Sequence, residues 1–281
     1  MFDNVVVGLD DYDAGRDALE LAKQLVSLDG EMLLVFVEVV MRPPGQNTDP
    51  EWQLDDRRRA LERLASVRDA ANADAQLLTV QAGSVARGLH EAVRRHGDLI
   101  VIGASRRDEF ERTLVGDDTR QVLQDAPSAV AVAPSGYAKR LPALDTIGVG
   151  YDGSPASEQA LTVASALARE RGAELSALEA VAEPMYANDP VSGQWALEAR
   201  LEKARKQLAE LRGVKPYVAS GDAAQALARY AASIDLLVVG SHEYRLSDRF
   251  SGGSTSQRLA DSLACPLLVL GPERLDATRA S

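Results

Sequence analysis

Short apolar runs alternate with longer stretches of helical apolar spacing along the whole chain. In the second half, TIGVGY (146–151) has the continuous apolar character of a strand covered on both faces, and Pro155 suits the first turn of a following helix. Ala160, Val163, Ala164, Leu167 and Ala168 make one apolar stripe running to about Arg171, where Gly172 supplies a stop. Then come the strand ELSALEAVA, the polar loop EPMYANDPVSG and a long amphipathic helix from about Gln194 to Arg212. The strand VKPYVAS, a helix through Ala223–Ala231 and the strand DLLVVG follow. A Gly/Ser-rich loop over 241–253, a short helix over 254–263 and the strand PLLVLG close the half. The first half predicts strands near 4–9, 32–40, 76–81, 98–103 and 129–133 with helices between, and a polar loop at 41–50.

The two halves match residue by residue. GLDDYDAGRDALELA from Gly8 parallels GYDGSPASEQALTVA from Gly150, Trp52 parallels Trp195, and DLIVIG ending at Gly103 parallels DLLVVG ending at Gly240. An offset held near about 140 residues over the full length is a domain duplication, too long a period for a solenoid. The expected domains are residues 1–140 and 141–281, joined by a short polar linker near Ser135–Pro142. Trp52 and Trp195, each opening the long second helix, read as packing anchors. Strand–helix alternation with helical crossovers predicts an α/β fold in each copy: an open five-stranded parallel sheet with helices on both faces. Ligands of such sheets sit beyond the carboxyl ends of the strands where the winding reverses, which puts a site at the loops after the first and fourth strands.

Composition narrows the function classes. The net charge of −11 is spread so that both halves are acidic, so neither copy carries a basic footprint for nucleic acid. Arg57–Arg59 is a basic run, but Asp55, Asp56 and Glu62 surround it in a helical pattern, which reads as a solvated helix face. A single cysteine, Cys265, rules out an internal disulfide and fits a reducing cytoplasm. Its place in LACPLLVL reads as a buried structural thiol. No apolar run reaches membrane-spanning length, and Met1-Phe2-Asp3-Asn4 does not open like a secretory signal, so no membrane partner is expected.

Candidate chemistry concentrates after the fourth strand of the second copy. Gly240 leaves the strand, a loop follows, and Gly253-Ser254-Thr255 opens a helix. Free N–H groups and hydroxyls at a helix start suit a phosphate, with Gly253 permitting close backbone approach. The same residues also make an ordinary turn with Ser254 as N-cap, so spacing alone leaves both readings open.

The chain resembles the universal stress protein family in its tandem form, through Asp-Gly-Ser at 152–154, VVGSH at 238–242 and GGSTSQRLADSLACPLLVL at 252–270. The resemblance implies a Rossmann-like sheet of the adenine-nucleotide α-hydrolase type and, in some members, ATP bound with magnesium. That binding runs through a glycine, two residues, a second glycine, nine residues and Gly-Ser or Gly-Thr. Residue by residue it implies Gly240, Gly253, Ser254 and Thr255 at the phosphates. It implies Asp152 at the nucleoside, with Tyr151 and Ala180 lining the adenine pocket. It also implies an internal pseudo-dimer of the two copies that dimerises again, acting as a non-catalytic adenine-nucleotide module in the cytoplasm.

Two departures matter. Glu243 replaces the middle glycine of the second copy. At about 5 Å and an effective dielectric of about 20, one carboxylate–phosphate pair costs roughly 3 kcal/mol; a solvent-facing Glu243 would be screened, and Arg245 and Arg249, which read first as exposed loop residues, could offset it. The first copy keeps Gly103 and Gly116 but has Arg106 for the middle glycine and Asp117-Asp118 for the hydroxyl pair. Two acids satisfy a helix start and disfavour an added anion, so the first copy is expected not to hold a triphosphate and its Asp10 to have lost that role.

Other classes fit poorly. A phosphoacceptor receiver needs an Asp ending the third strand and a Lys after the fifth. The first copy has Val80-Gln81 and Ala133-Pro134 there, and the second Ala219-Ser220 and Leu270-Gly271. His90 and His96 are badly spaced for one metal, and His242 reads as a loop residue. No Walker loop, nucleophile elbow or catalytic constellation is visible. The expected metal and catalytic residues are therefore none. A slow ATP hydrolase and a ligand-free interaction protein with structural glycine loops stand as alternatives.

Overall fold

The computed structural model describes residues 1–9, 13–40, 50–104, 117–183, 190–241, 255–260 and 264–271. The chain divides into two compact units, Met1–Leu141 and Pro142–Ser281.

The first unit runs β1 (Phe2–Gly8), α1 (Asp13–Leu25), β2 (Val26–Val39), α2 (Pro50–Ala70), β3 (Gln76–Ala82), α3 (Val85–His96), β4 (Leu99–Gly103), α4 (Asp117–Leu123), β5 (Ala129–Ala133) and α5 (Tyr137–Arg140). Its strands lie in the order β3-β2-β1-β4-β5, every pair parallel. Val5–Val7, Leu99–Val101 and Ala129–Ala133 are buried, as expected where helices cover both faces. Each fully buried Val or Leu contributes about 1.5–3 kcal/mol. β2 begins earlier than the apolar pattern suggests, because Val26 pairs with Phe2 and the register slips before Asn4 meets Glu31. The expected linker is partly built into this unit. Tyr137 is buried, and the carboxylate of Asp17 accepts the backbone N–H groups of Gly136 and Ala138, each at 2.7 Å.

The second unit runs β6 (Thr146–Gly150), α6 (Pro155–Arg171), β7 (Glu174–Val181), α7 (Pro190–Ala209), β8 (Lys215–Ser220), α8 (Ala223–Ala231), β9 (Leu236–Gly240), α9 (Thr255–Ala260) and β10 (Leu267–Leu270). Its strands lie in the order β8-β7-β6-β9-β10, again parallel throughout. The α6 helix starts as the sequence predicts: Ser154 accepts the N–H of Ser157, Pro155 follows, and Gly172 closes it in the left-handed region at φ 67°. The α7 helix runs from Pro190 to Ala209, ahead of the predicted limits at both ends; its early start is allowed because proline is tolerated in a first helical turn.

Winding reverses between β6 and β9, which lie side by side but connect through β7 and β8. The carboxyl ends of these two strands define the crevice where a ligand of this architecture sits.

Candidate functional site

The crevice of the second unit is built at one edge of the sheet. The N–H of Tyr151 donates to the carbonyl of Leu178, that of Gly221 to Val181, and that of Ser241 to Leu270, each at 2.9 Å. These bonds fix the chain as it leaves β6, β8 and β9. Tyr151 is buried, Ala180 half-buried, Asp152 exposed and Thr255 exposed at the first position of α9. Gly253 and Ser254, with Glu243, Arg245, Arg249 and His242, lie outside the described residues. Tyr151, Asp152, Ala180 and Gly240 thus share the carboxyl edge, while the phosphate end of the expected site is represented by Thr255 alone.

Two of these residues already serve the fold. A methyl placed on Gly240 would strike the backbone of Ala156 in the first turn of α6. Gly103 is held the same way against Ala14 in α1. The glycine is therefore required for strand–helix approach in both copies. The Asp152 carboxylate accepts the N–H of Ser154 at 3.0 Å, closing the turn that leads into α6, while its own N–H donates to Ser157 Oγ at 3.3 Å.

The copies differ in the space beside Ala180. Register places Val37 on β2 where Ala180 stands on β7, since Gly8 pairs with Val35 and Gly150 with Leu178. Val37 is accommodated by Gly88, where a methyl would run into its side chain. The corresponding position on α8 is Ala226. The first unit's crevice is apolar: a cavity of about 130 Å³ bounded by Leu9, Val35, Leu89, Ile102 and Val122, with the exposed Asp118 at its rim. The second unit trades Leu9 for Tyr151 and Val37 for the smaller Ala180.

Glu179 is a feature that sequence reasoning missed. It neighbours Ala180 on β7, and its Oε2 is buried without a hydrogen-bond partner. Burial pushes its carboxyl above the ordinary carboxylate range. The charge of Asp152 adds to the rise, and Lys203 on α7 opposes it. Successive side chains of a strand point to opposite faces, so Glu179 stands on the α7 side of β7, opposite Ala180.

The second missed feature is an ion pair across α8 and α9. Asp222 caps α8 by accepting the N–H of Gln225 at 3.0 Å, and both of its oxygens also receive Arg258, each at 2.9 Å. This holds its carboxyl below the usual range, with the Arg258 hydrogen bonds as the largest cause. The first copy has Ser84 and Gln121 at these positions. Comparing the two copies marks both positions as different without showing that they meet.

Other expectations fall out directly. Cys265 is buried and its thiol is pushed up to about 12, chiefly by burial. His90 is buried with Nε2 2.9 Å from the Val122 carbonyl, a packed core histidine. Arg57–Arg59 are exposed, with Arg58 paired to Asp55 at 3.0 Å, as a solvated face requires. Trp195 does not anchor packing: it is 75% exposed, because its turn of α7 turns that position away from the sheet. The side chain of Trp52 lies outside the described residues. Among the described residues no group of three or more His, Cys, Asp or Glu could hold a metal ion, and no helix is long and apolar enough to cross a membrane.

The profile of the universal stress protein family matches residues 1–134 and again 143–271. A universal stress protein of Mycolicibacterium smegmatis is 30% identical over 293 residues, covering 95% of this chain and 97% of its own length. One from Thermus aquaticus is 34% identical over 134 residues, 44% of this chain but 97% of its own length, so a relative exists as a single copy. Among solved structures, a universal stress protein from Archaeoglobus fulgidus superposes with a TM-score of 0.68 at 18% identity, covering 96% of this chain and 98% of that one. That likeness supports the fold.

Proposed function

The chain belongs to the universal stress protein family in its tandem two-domain form, and from that premise we propose that it is a non-catalytic, cytoplasmic adenine-nucleotide binding module. Its C-terminal domain, 141–281, holds ATP, with magnesium accompanying the phosphates, and its N-terminal domain, 1–140, is a degenerate partner. The observation that carries this reading is the difference between two equivalent crevices. One pairs the small Ala180 with Tyr151 and has the exposed Asp152 at its edge. The other is lined by apolar side chains and rimmed by Asp118.

The described residues fit the nucleoside end of such a ligand. Asp152 would accept from ribose hydroxyls, and Tyr151 and Ala180 would border the base. Thr255 offers a hydroxyl toward the phosphates, beside Gly253 and Ser254 in the sequence. Bound nucleotide would supply a free-energy bias toward whichever state of the protein it prefers. No residue is assigned a chemical step. A homodimer belongs to the same proposal.

The ligand-free interaction protein has one observation in its favour: Gly240 and Asp152 are both already used by the fold. Mass spectrometry of nucleotide copurifying with the full chain separates the two. Unchanged ATP at up to one equivalent supports the module, and no nucleotide retained at millimolar ATP supports the alternative. Sustained turnover of added ATP would instead reveal a hydrolase.

A further inference from the structure

We infer that the Asp222–Arg258 ion pair is a positioning clasp that sets the C-terminal domain's affinity for phosphate-bearing nucleotides, an inference that rests on the function proposed above. The pair is two-pronged: Arg258 Nη1 reaches Oδ2 and Nη2 reaches Oδ1, each at 2.9 Å. A bidentate fork fixes direction as well as distance, which a single-point contact does not. The carboxylate it grips is itself fixed. Asp222 follows Gly221, whose N–H is bound to Val181 at the carboxyl end of β7, and it caps α8 through Gln225. The clasp therefore ties α9 to the strand edge that carries Glu179 and Ala180.

Arg258 lies three residues after Thr255, so the two share one face of α9. Holding Arg258 restrains the turn of α9 that carries Thr255. The six described residues of α9 are too few to be stable by propensity alone, so the helix depends on tertiary contacts: the buried Leu259 and Ala260 on one side and the clasp on the other. The first copy caps the equivalent helix with Ser84, which accepts the N–H of Arg87 at 3.3 Å, and carries Gln121 where Arg258 stands. That copy has also replaced its helix-start hydroxyls with Asp117 and Asp118. The clasp and the hydroxyl-bearing start thus occur together in one copy and are absent together from the other.

The first copy supplies the test substitutions. Asp222→Ser keeps a capping hydroxyl, and Arg258→Gln keeps a long polar side chain. In the full chain, each is expected to weaken ATP binding about fivefold, the most that a partly exposed pair can contribute through pre-organisation. The double substitution should weaken it no more than either single one. Adenosine, which lacks the phosphates, should bind within about twofold of the unsubstituted protein, a separation that a general loss of structure would not give. Amide exchange over residues 255–260 should speed up in both variants without nucleotide. If Arg258→Gln does not fold, Arg258→Lys serves, keeping the charge but losing the fork and an intermediate share of affinity.

ATP affinity unchanged in the variants, or ATP and adenosine weakened equally, overturns the clasp and leaves the nucleotide reading standing. If the unsubstituted chain binds neither ligand, the nucleotide reading falls and the clasp's role in affinity falls with it.

Discussion

Gly240 abuts the backbone of Ala156, leaving no room for a methyl between strand β9 and helix α6. Gly103 and Ala14 repeat the relationship in the first unit. The position reads in sequence as the opening glycine of a phosphate loop, yet the fold demands it in both copies. Gly240→Ala and Gly103→Ala are each expected to destabilise their own unit by roughly 1–3 kcal/mol through overpacking. Urea unfolding with domain-specific probes measures this. Equal stability of the variant and parent would show that the strand and helix can move apart freely.

Glu179 is expected to work against stability at neutral pH, since a buried oxygen without a partner and a nearby Asp152 both penalise its charge. Its folded-state value is raised, so the protonated form is favoured in the fold. Stability is lost as pH rises from the ordinary carboxylate range through that higher value. Glu179→Gln should therefore raise the unfolding midpoint at pH 7, by on the order of 1 kcal/mol after discounting for solvent screening. The gain should vanish near pH 4. A pH series of thermal melts gives the result, and a loss of stability at pH 7 would mean that Lys203 outweighs both penalties.

The clasp has the opposite sign. The folded value of Asp222 is depressed, so its contribution is complete above the ordinary aspartate range and disappears as pH falls through the lower folded value. Both partners are partly exposed, so a double-mutant cycle between Asp222 and Arg258 should give only about 0.2–1 kcal/mol at pH 7 and shrink as acid protonates Asp222. A coupling undiminished in acid would not be ionic.

Cys265, buried and pushed up to about 12, should resist a thiol reagent such as dithionitrobenzoate at pH 8 in the native protein and react at once in denaturant. Fast native labelling would mean that the segment before β10 opens readily.

Much of the fold was legible because period and punctuation agreed. Pro155 and Gly172 bound α6 where the apolar stripe predicts, and the continuous apolar runs became the central parallel strands. Boundaries failed where tertiary pairing overrode local signals, as when Phe2 paired with Val26, ahead of the strand start expected near residue 32. Trp195 misled because repetition between the copies marks common descent as readily as burial. That Asp152, Tyr151 and Ala180 lie at the carboxyl edge of one sheet was legible from the strand pattern. Glu179 was not, because a glutamate on an alternating strand reads as solvent-facing until its neighbours are known. The Asp222–Arg258 pair was equally hidden, since its partners are far apart in sequence and meet only when α8 and α9 are side by side.

Titration calorimetry of the full chain with ATP, beside Ser254→Asp, tests the division of labour between the copies most directly. The substitution gives the second copy the carboxylate that the first copy carries at Asp117. One site per chain is expected, abolished or weakened at least about a hundredfold by the substitution. Two sites per chain, or a single site indifferent to Ser254→Asp, would contradict it.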